Sequence, residues 1–172
     1  MASRRLEDLF WKVEKMAREH VQKCKEHGIE LLVYCTYRSP EEQMHLYMRG
    51  RKYDENKRII VEDRSRVVTY AQPWGSFHQY RLAYDCVPLD YGKPVWDDKH
   101  PIWQVVGQLG ESVGLEWGGH WKRFREYPHF QYTLGLDAKY LSKNKEYREI
   151  ILKAIEEGNL VEVTKAKYSF TT

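Results

Sequence analysis

Cysteine is scarce in this 172-residue chain: Cys24, Cys35 and Cys86 are the three it has. An odd number with no C-x-x-C spacing, two of them inside strand-like apolar runs, argues against a disulfide framework, and all three are read as reduced core residues. Long hydrophobic runs are also missing. The start, Met1-Ala2-Ser3-Arg4-Arg5, leads into a stretch with charges throughout, and no apolar run of about 7–15 residues marks a signal peptide or begins a membrane span. Charge of one sign is nearly absent in net terms, at +3. That is too little to require a nucleic-acid partner, although it suits a weak attraction to an anionic polymer. Internal repeats, low-complexity tracts and proline-rich linkers are lacking too. What is there, 42% apolar and 14% aromatic residues, argues against disorder and for one self-folding domain over 1–172, expected as a monomer without nucleic-acid or membrane partners.

Apolar residues at helical spacing, Leu6, Leu9, Phe10, Val13, Met16, Ala17 and Cys24, predict an amphipathic helix over 4–27 that stops at Gly28. Residues 29–37 form a run that is apolar but for Glu30 and Thr36 and rich in strand formers, read as a buried central strand. Ser39-Pro40-Glu41-Glu42 is a capping box with proline in the first turn, so a short helix runs from Pro40 to near Gly50. The charged stretch 49–66 reads as a solvated loop or hairpin, 67–71 as a short strand, and 72–75 as a turn. Over 82–87 the residues alternate, Ala83, Asp85 and Val87 against Leu82, Tyr84 and Cys86, in a strand that reaches Leu89 and turns at 90–92. Asp98 is expected to cap a helix with the stripe Ile102, Val105, Val106, Leu109 and Val113, closed by Gly114. A last helix over about 142–157 carries Tyr147, Ile150, Ile151, Ala154 and Ile155, and the tail from Leu160 reads as extended or frayed. The class is α+β: a small antiparallel sheet with helices on one side and a candidate metal site at its edge.

Two segments carry chemistry. In Ser76-Phe77-His78-Gln79-Tyr80-Arg81-Leu82-Ala83-Tyr84-Asp85, a histidine and a carboxylate stand seven apart on what reads as a strand-like run. Asp85 falls among small apolar neighbours, where a carboxylate costs several kcal/mol or more unless a cation or several donors compensate it. In Glu126-Tyr127-Pro128-His129-Phe130, the proline disfavours a helix, so His129 is expected at a strand end and Glu126 on the loop before it. His78, Asp85 and His129 would leave the fourth position of a tetrahedral zinc open to water, with Glu126 placed to take that water's proton. The bland alternative pairs Glu126 with Arg123 or Arg125 on a surface loop. His20, His27, His45 and His100 have no such carboxylate at motif spacing and read as structural. Trp74, Trp96, Trp103, Trp117 and Trp121 read as core more than as platforms for sugars. Arg38, at a strand–helix junction, either pairs with Glu41 or Glu42 or offers a two-pronged fork to a carboxylate or developing oxyanion.

At these residues the chain resembles the zinc D,D-carboxypeptidases and L-alanyl-D-glutamate endopeptidases that cut bacterial cell-wall peptides, phage endolysins included. Ser76, His78, Ala83 and Asp85 match the motif S-x-H-x-x-G-x-A-x-D, and Glu126, Pro128, His129 and Phe130 match the second. The resemblance spans about 31–130. Arg81 stands where the family has glycine, and His120 where the endopeptidase branch has aspartate in W-G-G-D-W. It implies a Hedgehog/D,D-peptidase-like fold, Zn2+ on His78, Asp85 and His129, Glu126 as base, and a cleft in which Arg38, Ser76, Gln43 and His120 contact a peptidoglycan stem peptide. It also implies an insertion at 49–66. The W-G-G-x-W segment favours cleavage of the L-Ala to D-Glu bond, with D-alanyl-D-alanine carboxypeptidase and a non-catalytic binding module as alternatives. An enzyme made in the cytoplasm without a leader would reach the wall by holin-type release.

Overall fold

The computed structural model describes residues 2–171. Its centre is the strand β4 (Ala83–Asp90), buried over six consecutive residues, which pairs antiparallel on one side with β1 (Glu30–Cys35) and on the other with β7 (His129–Gln131). With β5 (Lys93–Pro94) and β6 (Glu116–Trp117) these form one sheet in the order β1-β4-β7-β6, β5 adding to β4 through a tight turn at Tyr91 and Gly92, both at positive φ. Thus β1 lies at the sheet edge and not in its middle. Its residues alternate in exposure, with Leu32 44% exposed, because helices cover only one face of the sheet there, and the apolar run reads as more buried than it is.

Helices α1 (Trp11–Glu26) and α3 (Ile102–Ser112) cover the face that carries Tyr84, Cys86 and Phe130. His20 joins the layers. Its Nε2–H donates to Val106 O at 2.9 Å while Nδ1 accepts from the Tyr84 hydroxyl at 2.6 Å. Burial lowers its pKa to about 4, so the ring stays neutral. The first helix begins at Trp11 and not near residue 4: Leu6–Asp8 is a 3-10 turn and Phe10 is extended. Tertiary bonds compete with helix there, since Phe10 N donates to Arg81 O and Ser3 exchanges backbone bonds with Thr36 and Tyr37.

Further expectations are corrected. Asp98 does not cap α3; Asp97 and His100 accept the local N–H bonds from Lys99 and Ile102 instead. The buried stripe of α3 is Trp103, Val106, Gly107 and Gly110, with Val105 38% exposed. The helix turns its glycines inward because the Trp117 ring presses on its backbone: a Cβ at Gly107 would lie 2.2 Å from Trp117 Cε3. Residues 67–71 form no strand. The C-terminal region is three helices and not one, α4 (Ala138–Lys143), α5 (Lys145–Glu156) and α6 (Leu160–Thr171). Asp137 caps α4, Gly158 at φ +65° ends α5, and Asn159 Oδ1 accepts from Glu162 N at the start of α6, where Val163 and Ala166 are buried.

The remaining elements frame the open face of the sheet. Helix α2 (Pro40–Met48) starts with the Ser39–Glu42 capping box, and the 49–66 stretch folds as a separate hairpin of β2 (Arg51–Tyr53) and β3 (Ile59–Val61). Among the described residues, no helix is long and apolar enough to cross a membrane.

Candidate metal-centred cleft

Antiparallel pairing puts opposite residues on the same side of a sheet, so Asp85 facing His129 and Ala83 facing Gln131 share the open face, away from α1 and α3. This is the central strand pair and not the sheet edge. His78 reaches the same point from a 3-10 turn, Phe77–Tyr80, rather than from a strand. The turn is started by Ser76, whose Oγ accepts from His78 N while Gln79 Oε1 accepts from Ser76 N. It ends at Arg81 in the left-handed region, φ 59° and ψ 24°, the conformation for which glycine is best suited. That explains why glycine suits this motif position. Here the non-glycine residue is held by a guanidinium bond to Asp8 O at 2.7 Å and stacking 4.4 Å from the Tyr37 ring centre.

The three candidate ligands converge on one atom. His78 Nε2 lies 3.2 Å and His129 Nδ1 3.1 Å from Asp85 Oδ1. Each ring's outer nitrogen is engaged by an acceptor, His78 Nδ1 with Thr36 O at 2.7 Å and His129 Nε2 with Gln131 Oε1 at 2.9 Å. Those outer nitrogens therefore carry the protons. The neutral rings turn lone pairs toward a carboxylate, and three inward acceptors fit a cation between them. Without one, the charge must be met by protons: burial opposes it, but the Asp85 hydrogen bond and charge raise the His129 pKa, while burial lowers that of His78. Burial would raise Asp85, yet His78 and His129 hold its carboxyl well below the usual range.

Arg38 closes the cluster at the cleft wall, donating through Nη2 to Asp85 Oδ2 at 3.1 Å and through Nη1 to Gln43 Oε1 at 3.1 Å. It pairs with Asp85 rather than with Glu41 or Glu42. Gln43 is fully buried and gives its own N–H to Ala71 O, so it positions Arg38 and does not face the cleft. Cys35 is brought in by a register slip in β1 between Val33 and Cys35. Its Sγ sits 3.2 Å from Arg38 Nη2 and 3.7 Å from His78 Nδ1. Cys35, His78 and Asp85 form a metal-capable group with donors within 4.8 Å. Burial pushes the thiol up to about 12, however, and it faces the ring nitrogen that Thr36 O already holds.

Glu126 stands beside the cluster, 3.8 Å from His129 Nδ1 and a third exposed. Burial raises its pKa above the ordinary carboxylate value, the direction that makes a carboxylate a better base. Its segment is held by four backbone-directed bonds: Glu126 N to Gly118 O, His129 N to Glu126 O, Cys86 N to Pro128 O, and the Trp117 indole N–H to Tyr127 O. Gly118 is part of this clamp, since a Cβ there would lie 2.6 Å from Glu126 O. Gly118→Ala should therefore displace Glu126 and lower kcat by about ten-fold or more while KM moves less. An unchanged kcat would show that the clamp does not set the position of Glu126.

The surrounding cleft, about 910 Å³, is lined by Arg38, Ser76, His78, Asp85, Glu126 and His129 among others. His120 is not brought to it: the ring is exposed and bonds Glu111 Oε1 on α3 at 2.8 Å. Trp103 and Trp117 are core, but Trp96 is 60% exposed on the cleft beside Tyr34, and Trp121 packs 5.1 Å from the His129 ring. Gln131 escaped the sequence reading although it stands two residues after His129, on the same strand face. Cys35 left no such signal, because a strand slip is not visible in composition.

Residues 69–132 match the family model described as D-alanyl-D-alanine carboxypeptidase. Over 112 residues the chain is 34% identical to the peptidoglycan L-alanyl-D-glutamate endopeptidase CwlK of Bacillus subtilis (strain 168), a match that covers 60% of this chain and 61% of that protein. The fold is similar to the crystal structure of the Serratia marcescens L-Ala D-Glu endopeptidase ChiX, with a TM-score of 0.55 and 18% identity over 78% of this chain and 90% of that one.

Proposed function

We propose that the chain is a zinc-dependent peptidoglycan hydrolase that cleaves the L-Ala to D-Glu bond of the stem peptide. The observation that carries this reading is the convergence of His78 Nε2 and His129 Nδ1 on Asp85 Oδ1, with Glu126 3.8 Å from His129, in an open cleft. The likeness to CwlK, whose name states that bond, supports the choice of substrate. His78, Asp85 and His129 would hold the zinc, which when bound supplies a Lewis acid and lowers the pKa of coordinated water to about 7. Glu126 takes the proton of the attacking water and returns it to the leaving nitrogen. Arg38, fixed by Gln43 and Asp85, keeps the carboxylate in place and carries positive charge toward the substrate carbonyl. Ser76 uses its lone pairs to cap the His78 turn, which leaves its O–H to donate to substrate.

Metal analysis of the purified protein should find one zinc per chain, and mass analysis of digested peptidoglycan should find new N-terminal D-Glu. Release of D-alanine alone would instead establish the carboxypeptidase activity that the family description names. A zinc-loaded protein that binds the peptide and cuts nothing would be a binding module.

A further inference from the structure

The cleft holds two cations that its own structure leaves unused. Arg49, just after α2, and Arg125, next to Glu126 in the chain, both line it and both are exposed. Among the described residues, neither side chain makes a hydrogen bond or ion pair. Neighbouring arginines differ: the Arg38 fork is taken by Gln43, Cys35 and Asp85, and Arg51 donates to Tyr47 O and stacks on the Tyr47 and Tyr70 rings. The cleft's exposed carboxylate, Asp98, belongs to the segment after β5 beside Trp96, and among the described residues it is paired with neither arginine. Leu46, Val68 and Phe124 line the same cleft.

A glutamyl residue incorporated through one carboxyl keeps the other free, so the C-terminal side of the proposed scissile bond is anionic unless that group is amidated. Arginine forks bind a carboxylate with two parallel N–H···O bonds and fit a carboxamide poorly. We infer that Arg49 and Arg125 form a carboxylate-reading subsite that selects stem peptides with a free glutamyl carboxylate over their amidated counterparts. This rests on the proposed endopeptidase reaction.

The test uses two synthetic muropeptides that differ only in that group, carboxylate or carboxamide. The wild-type protein should show kcat/KM about ten-fold or more higher on the acid. In the Arg49→Gln/Arg125→Gln double variant the ratio should fall to within about two-fold, chiefly through KM on the acid, with the double lysine variant in between. Equal losses on both peptides, or a ratio that the variants leave unchanged, would overturn the subsite while leaving the reaction intact. If the wild type cuts neither peptide, the reaction reading fails. Calorimetric binding of the same two peptides then decides the subsite separately: a wild-type preference for the acid that the double variant loses supports it, and equal affinity sinks it.

Discussion

Glu126→Gln should leave a folded protein that still binds zinc and has lost nearly all turnover. The substitution keeps the length of the side chain and its carbonyl oxygen. It removes the capacity to accept a proton, and general acid–base groups contribute about 10²- to 10⁴-fold to rate. The loss should appear in kcat, with KM little changed, because the proton moves only on the way to the transition state. Structure and metal content should survive for stated reasons. Glu126 touches the cluster only through a 3.8 Å contact with His129, and the backbone bonds that shape its segment use its N–H and C=O, not its carboxylate. The contact with His129 also weakens the alternative in which the group serves as a surface partner of Arg123 or Arg125. Single-turnover rates on a defined peptide, with zinc content measured on the same sample, decide the matter. Turnover within a few-fold of wild type would remove Glu126 as the base, and His120, turned to Glu111, does not stand where it could take over.

Much of this site was legible because its residues are close in sequence to strong local signals. The period-2 alternation around Asp85 predicted its face, and Pro128 predicted that His129 would begin a strand with Glu126 on the loop before it, as the structure has them. Capping logic predicted α2 and so fixed Arg38 at its start. What remained hidden depends on contacts between distant segments. The 3-10 turn that carries His78 looked like strand because its capping box, Ser76 with Gln79, is formed in the absence of helical periodicity. The first helix read too long because Leu6, Leu9 and Phe10 fit its apolar stripe, whereas the backbone bonds of Phe10 to Arg81 and of Ser3 to Thr36 and Tyr37 hold this stretch out of the helix. In α3 the inward glycines were invisible to an apolar pattern, since a missing side chain scores as neutral while it admits Trp117. Edge position misled the reading of β1 for the same reason: apolar content does not say whether one face of a strand or both are covered.

Asp85→Ala should cost both the metal and a large part of the fold's stability, and the two losses can be separated. The carboxylate is the one group that all the others in the cluster address: Arg38 Nη2 at 3.1 Å, His78 Nε2 at 3.2 Å and His129 Nδ1 at 3.1 Å. Removing it strands a guanidinium whose side chain is only 14% exposed and two nearly inaccessible imidazoles. Breaking a buried pair by deleting one partner typically costs about 3–5 kcal/mol, because the remaining charge keeps its desolvation penalty and loses its attraction. For a domain of this size that corresponds to a fall in Tm of about 6–20 °C. The comparison belongs in the presence of a chelator, since bound metal adds its own stabilisation to the wild type and would exaggerate the difference. Asp85→Asn should fall between, because its carbonyl still accepts from Arg38 while its charge is gone. Both variants should lose tight zinc binding. A chelated Asp85→Ala protein that melts within about 3 °C of wild type would show that Arg38 and the histidines find other partners without it. An Asp85→Ala protein that binds zinc as tightly as wild type would instead move the third ligand to Cys35, whose sulfur is the remaining donor in the group with His78 and Asp85.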